Sequence, residues 1–281
     1  MPTIDAHHHF WDTSRLAYPW MGDDLASIRR PFSPVDLQPL LTANSVAGTV
    51  LVQTCSDLDE TREFLGIAGA YLFVLGVVGW VDLTDPSVAD TLAALRAAPG
   101  GDKLVAIRHQ VHDEPDPDWL SRPDVVRGLK HVADAGLVFD LLVRTRELPA
   151  AVRVTREIPN LRFVLDHLAK PPLASADLTA WSSLLRELAQ SDNVAAAKLS
   201  GLVTESNWLL WTVADLQPAV DMALEAFGPA RLMFGSDWPV CLVAATYDRV
   251  LQTARELTAQ LSESEKARVF HLNALASYRL R

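Results

Sequence analysis

The sequence predicts an α/β protein folded as one (β/α)8 TIM barrel, and three observations carry that prediction. Eight short, β-branched apolar runs recur along the chain, amphipathic segments of helical period lie between them, and 281 residues is slightly above the usual length of one such barrel. The runs are Thr3–His7, Gly48–Gln53, Phe73–Gly79, Leu104–His109, Val138–Val143, Arg162–Asp166, Val194–Leu199 and Arg231–Gly235. Most are continuously apolar, as parallel strands covered on both faces should be.

Four intervening segments read as helices. Pro86–Ala98 follows an Asp85-Pro86 turn, and Pro123–Ala135 is stopped by Gly136. Leu178–Ala189 follows the turn residues Ser175 to Asp177, and Leu216–Phe227 ends at Gly228-Pro229. Repetition of a strand–helix unit favours a closed barrel over an open doubly wound sheet. No Gly-x-Gly-x-x-Gly follows any strand, so the dinucleotide-binding reading lacks its main signal. Neither a linker nor a low-complexity tract breaks the chain. We therefore expect a single domain over 1–281, with one helix beyond the barrel's need, Ser262–Tyr278, lying across its outside.

Composition excludes several classes. Half the residues are apolar and the formal charge is −10, with no basic stripe to meet phosphates, so no nucleic-acid partner is expected. No apolar stretch reaches 18 residues, so no membrane partner is expected. The N-terminus shows no secretory pattern, and Cys55 and Cys241 fit no metal or redox spacing. The expectation is a cytoplasmic protein with two reduced, buried thiols.

Catalytic groups of such barrels sit at the C-terminal ends of the strands, and polar residues collect there. The first strand runs into His7-His8-His9-Phe10-Trp11. Alternation along a strand puts His7 and His9 on one side and His8 on the other. Two converging imidazoles suit a metal ion or a carbonyl oxygen. The sixth strand ends Asp166-His167, of which one should face inward and the other brace the loop, and the eighth ends Gly235-Ser236-Asp237-Trp238. His7, His9, His167 and Asp237 are thus expected to gather at one rim. Arg108, with His109 beside it, and Arg144 are candidates to hold a carboxylate or hydroxyls through paired hydrogen bonds. Lys198 and Glu205 carry weaker claims. Trp11, Trp208, Trp211 and Trp238 fall in the same loops, where they could wall a sugar-like ring or simply seal the barrel.

These residues stand in motifs that resemble the amidohydrolase-2 type lactonases, a family that includes fuconolactonases, rhamnonolactonases, sulfomuconolactone hydrolases and pyrone-dicarboxylate lactonases. The motifs are Ile4-Asp5-Ala6-His7-His8-His9-Phe10-Trp11, Ile107-Arg108-His109 and Phe163-Val164-Leu165-Asp166-His167-Leu168-Ala169-Lys170-Pro171-Pro172, followed by Lys198-Leu199-Ser200-Gly201-Leu202 and Leu232-Met233-Phe234-Gly235-Ser236-Asp237-Trp238-Pro239-Val240. The likeness covers nearly the whole chain. It implies a hydrolase that opens a small sugar-derived or carboxylated lactone, with His7, His9, His167 and Asp237 as catalytic centre and metal-ligand set. Beside that centre, the strand-end and loop positions lead us to expect substrate contacts from Arg108, His109, Arg144, Trp11 and Trp238. No lysine ends the fourth strand, so at most one divalent ion is implied, zinc first, and the resemblance leaves open whether it is required. Asp237 would take the proton of the attacking water and return it to the ring oxygen. Two other readings stand beside this one. A metal-dependent decarboxylase of the same superfamily would place an acid two residues before His7, where Asp5 sits, and a non-catalytic barrel would bind a sugar acid without turnover.

Overall fold

The computed structural model describes residues 2–175 and 177–280. Met1 and Arg281 of the predicted domain, and Ala176 in the turn before the sixth helix, lie outside the described residues. Eight strands follow one another around a parallel sheet in sequence order. They are β1 Thr3–His8, β2 Val46–Val52, β3 Val74–Gly79, β4 Leu104–His109, β5 Val138–Leu141, β6 Arg162–Leu165, β7 Val194–Leu199 and β8 Leu232–Phe234. The ring closes just beyond the strand ends. There the His9 amide donates to the Trp238 carbonyl at 2.7 Å and the Asp237 amide to the His7 carbonyl at 2.8 Å.

An outer ring of helices covers the strands: α1 Pro34–Ala43, α2 Leu58–Ala70, α3 Val88–Ala97, α4 Pro123–Asp134, α5 Leu148–Glu157, α6 Thr179–Ala189, α7 Val213–Phe227 and α8 Tyr247–Leu257. Helix α7 begins three residues before the predicted start. Thr212 and Asp215 form a reciprocal capping box there, which satisfies amide groups that would otherwise be orphaned. The core has two parts. One lies between strands and helices. The other fills the bore with Ile4, Ala6, Val50, Val52, Val78, Ala106, Val138, Val164, Ala196 and Met233.

Beyond α8 the chain departs from expectation. Ser262–Tyr278 is helical as expected but does not lie on the outside. The helix runs unbroken from Glu263–Ala267 through a π-helical turn, Arg268–Leu272, into Asn273–Tyr278. Ala274 and Tyr278 join the bore cluster, so this segment seals the end of the barrel opposite the loops that follow the strands. The reason is chemical: the bore already contains buried charges, and the Tyr278 hydroxyl reaches in to donate to Asp140 Oδ2 at 2.7 Å. Both cysteines are free thiols as expected, but only Cys241 is buried. Cys55 sits past the end of β2, where the chain leaves the sheet, and is half-buried.

Candidate active site

Strand β1 does not alternate simply. Asp5 pairs with Thr49 but His8 pairs with Leu51, so β1 carries one residue more than β2 over this span, a β-bulge that re-aims the side chains beyond it. Ile4 and Ala6 face the bore. Without the bulge His8 would face it too. With it, His8 turns to Thr49 Oγ1, 2.9 Å away, and His7 and His9 turn to one centre, their Nε2 atoms 3.2 Å apart.

Strand β6 gives up both residues of its Asp-His pair, where sequence alternation allowed only one. Asp166 is still in the strand's line and faces the bore. His167 follows in a left-handed turn, φ 51°, that continues through Leu168, Ala169 and Lys170, and this brings its ring to the same centre. A run of left-handed residues is costly for side chains other than glycine, and it is placed here at the mouth of the barrel. Asp237 is left-handed as well, φ 57°. Gly201, also at positive φ, lets His167 close in: a Cβ there would lie 2.6 Å from His167 Nδ1 and 3.3 Å from Asp237 Oδ2.

Four groups far apart in the chain therefore meet. Asp237 Oδ1 lies 3.3 Å from His9 Nε2, 3.7 Å from His7 Nε2 and 3.9 Å from His167 Nε2. His9, His167 and Asp237 are each 4% exposed, whereas His7 is fully buried. His9 Nδ1 is 2.8 Å from the Val52 carbonyl. A carbonyl can only accept, so Nδ1 carries a ring proton. Nε2 faces the Asp237 carboxylate oxygen at 3.3 Å, a contact that a proton or a cation between the two atoms makes favourable. The set is thus three imidazole nitrogens and one oxygen, and ligand atoms of His7, His167 and Asp237 lie within 4.8 Å of one another. These donors suit a divalent ion such as zinc.

Electrostatics favours the forms such chemistry needs. Burial, with Lys198 beside it, holds His7 well below its ordinary range, and burial takes His167 down to about 4. Both imidazoles are neutral near pH 7. Burial alone would raise Asp237, but His167 and His9 outweigh it and hold the carboxyl below the usual range. It is ionised.

Under this rim lies a layer of buried charge. Arg108 Nη1 donates to Asp166 Oδ2 at 2.9 Å and Arg108 Nε to Gln53 Oε1 at 2.9 Å. Lys198 Nζ lies 2.7 Å from Asp140 Oδ2, 2.8 Å from Asp166 Oδ1 and 3.2 Å from His7 Nδ1. Two cations and two carboxylates balance, and the layer fixes the His7 ring from beneath. Lys198, considered from sequence as a substrate contact, is fully buried in it.

A cleft of about 110 Å³ opens above, lined by His9, Trp20, Thr54, Arg108, Gln110, His112, Leu142, His167, Lys170, Asp237 and Val240. Arg108 is both ion-paired and on the cleft wall. Other expected substrate contacts lie elsewhere. His109, next along β4, is held by the Trp80 indole N–H at 3.0 Å and by Glu114 at 2.7 Å, and stacks on Trp119 at 4.1 Å. Its one-residue offset from Arg108 sends it outside the bore. Trp11 donates to the Ile28 and Arg30 carbonyls and lines a separate cavity of about 240 Å³ that does not include the histidine cluster. Trp238 is packed edge-on against Phe10 and Phe32. Arg144 is exposed beside the cleft rather than in its lining. Trp208 and Trp211 bond to the Thr204 and Ala244 carbonyls. Glu205 pairs with Lys170 at 2.7 Å on the rim. Sequence reasoning missed Trp20, Gln110, His112 and Lys170, which belong to loops without periodicity. Asp140 was visible as a lone carboxylate inside an apolar run.

With this geometry in view, the comparisons with known proteins are specific. A family model described as amidohydrolase matches residues 4–280. A Burkholderia multivorans protein named L-fucono-1,5-lactonase is 38% identical over 288 residues, covering 99% of this chain and 96% of its own. A second of the same name, from Burkholderia ambifaria, is 39% identical and covers 99% and 95%. A crystal structure of an amidohydrolase from Burkholderia multivorans with bound zinc covers all of both chains at 37% identity and a TM-score of 0.94.

Proposed function

This chain belongs to the amidohydrolase family, and from that premise we propose that it is a lactonase, opening the ester ring of a small sugar-derived lactone by adding water. The observation that carries the reading is the convergence of three imidazoles, those of His7 and His167 neutral, and one ionised carboxylate at the mouth of the barrel, beside an open cleft.

The chemistry rests on those charge states. Asp237 Oδ1 is positioned to accept a proton from water as the water attacks the lactone carbonyl, a contribution typically worth about 10²–10⁴ in rate. Negative charge then grows on the carbonyl oxygen, and His167, which faces the cleft and whose Nδ1 can accept from the Ser200 hydroxyl at 2.8 Å so that Nε2–H donates, is the group placed to meet it. Protonated Asp237 returns its proton to the ring oxygen as the C–O bond breaks, leaving a hydroxy acid. Arg108, on the cleft wall, can hold a hydroxyl or carboxylate of the substrate. A divalent ion, held by His7, His9, His167 and Asp237, would add Lewis-acid polarisation and a more acidic water. His7 is the least exposed of the four, and the Lys198–Asp166 pair beneath orients its ring.

Asp237→Asn tests the base. It is nearly isosteric, so the fold should persist while turnover of aldonolactones, followed with a pH indicator, drops about a thousandfold. Retention of full rate would remove Asp237 from the mechanism. Acid release without CO₂ separates this reaction from a decarboxylation.

A further inference from the structure

The barrel closes on an incomplete seam. Strand β8 has only three residues, Leu232–Phe234, and among the described residues no ladder joins it to β1. The bridge between His8 and Trp238 lies beyond its end, where the His9 and Asp237 amides make the backbone bonds already described. Yet the two sides of this seam carry three of the four rim groups, His7 and His9 on one and Asp237 on the other. The 3.3 Å and 3.7 Å from Asp237 Oδ1 to His9 and His7 Nε2 are therefore distances across it.

The side chain of Asp5 spans the gap. It alternates along β1 with Ile4 and Ala6, which face the bore, so it points the other way, toward α8. Its Oδ1 accepts from the His7 amide at 3.1 Å and from the Ser236 amide at 2.8 Å. One oxygen with two lone pairs thus holds two backbone donors from opposite sides of the seam. The Tyr247 hydroxyl, on α8, donates to Oδ2 at 3.1 Å and stops the carboxylate from turning. One of the two amides belongs to a rim residue, and the other directly precedes Asp237. Gly235 permits the close approach, since a Cβ there would lie 2.6 Å from His7 Cβ. Asp5 is fully buried and is not part of the cleft lining.

We propose that Asp5 is a positioning residue of the active site, whose Oδ1 ties the His7 and Ser236 amides together and so sets the separation between the histidines of β1 and Asp237. The role rests on the lactonase reading and adds to it a residue that touches neither substrate nor reacting atoms. It requires an acceptor at Oδ1 rather than a negative charge, and that distinction separates two substitutions. Misplacing catalytic groups by about 1 Å costs about a hundredfold in rate.

The test measures kcat and KM on L-fucono-1,5-lactone for the native protein, Asp5→Ala, Asp5→Asn and Tyr247→Phe, each checked for folding by circular dichroism. Asp5→Ala frees both amides and should lower kcat about a hundredfold with KM unchanged. Asp5→Asn keeps a carbonyl oxygen for the two amides and should recover most of that loss. Full kcat in Asp5→Ala, a loss that falls on KM instead, or an Asp5→Asn protein as slow as Asp5→Ala would overturn the positioning role while leaving lactone hydrolysis standing. If Asp5→Ala does not fold, Tyr247→Phe decides. It leaves the carboxylate in place but loosens it, so kcat should fall about tenfold, roughly one lost hydrogen bond, and an unaltered kcat would overturn the role. A native protein that opens neither this nor any other aldonolactone would bring down the lactonase reading, and the positioning role with it.

Discussion

His8 and His9 are adjacent in the chain and meet opposite fates. His9 reaches the cleft, whereas His8 is enclosed and its pKa is pushed down to about 3 by burial. The unfolded chain takes up a proton on this residue near the ordinary histidine value of 6.5, and the folded protein does not. Its contribution to stability is therefore present above about pH 6.5 and is lost as pH falls from there toward 3. At pH 5 the loss from this one group is about 2 kcal/mol. In urea unfolding, His8→Gln should lose less stability than the native protein between pH 7 and pH 5, by about that amount; parallel losses would mean His8 is charged when folded. The four rim residues were legible at this scale because each ends a strand. His109 was not placed correctly, since a one-residue step between facing in and facing out is set by register. Trp20 and His112 carried no signal at all, because loop residues have no period from which a facing can be deduced.

At the scale of elements, the eight strands and four of the outer helices could be read from apolar runs and periodicity, while the bulge in β1 and the seat of the C-terminal helix could not. An amphipathic pattern says that one face is covered. It does not say which end of the barrel covers it. The hydroxyl of Tyr278 answers that question by meeting Asp140 inside the bore. Two substitutions separate the contributions of this layer. Tyr278→Phe removes one donor from a buried carboxylate and should cost about 1–3 kcal/mol. Lys198→Met leaves Asp140 and Asp166 under-compensated and should cost about 3–5 kcal/mol. Equilibrium denaturation measures both, and a Tyr278→Phe protein as stable as the native one would show that the last helix seals the barrel through apolar contact alone.

Across the whole molecule the barrel has two unlike ends. The C-terminal segment closes one, and the bore between holds apolar residues, then a balanced layer of buried charge. At the other end three imidazoles and a carboxylate face a cleft. The net charge of −10 spreads over this frame, and it poses a problem for any metal experiment, since an acidic surface collects cations without a dedicated site. Coupling between metal and fold distinguishes the two cases. An ion that binds only the folded site at a hundred times its Kd adds about 2.7 kcal/mol, which for a chain of this size raises Tm by about 5 °C. Zinc added after chelator treatment should therefore shift the native protein by that amount, and His9→Ala, which removes a buried ligand and leaves the acidic exterior unchanged, should lose most of the shift. Equal shifts in both would place the zinc on the acidic exterior. No shift in either would leave Asp237 and the histidines to carry the reaction without an ion.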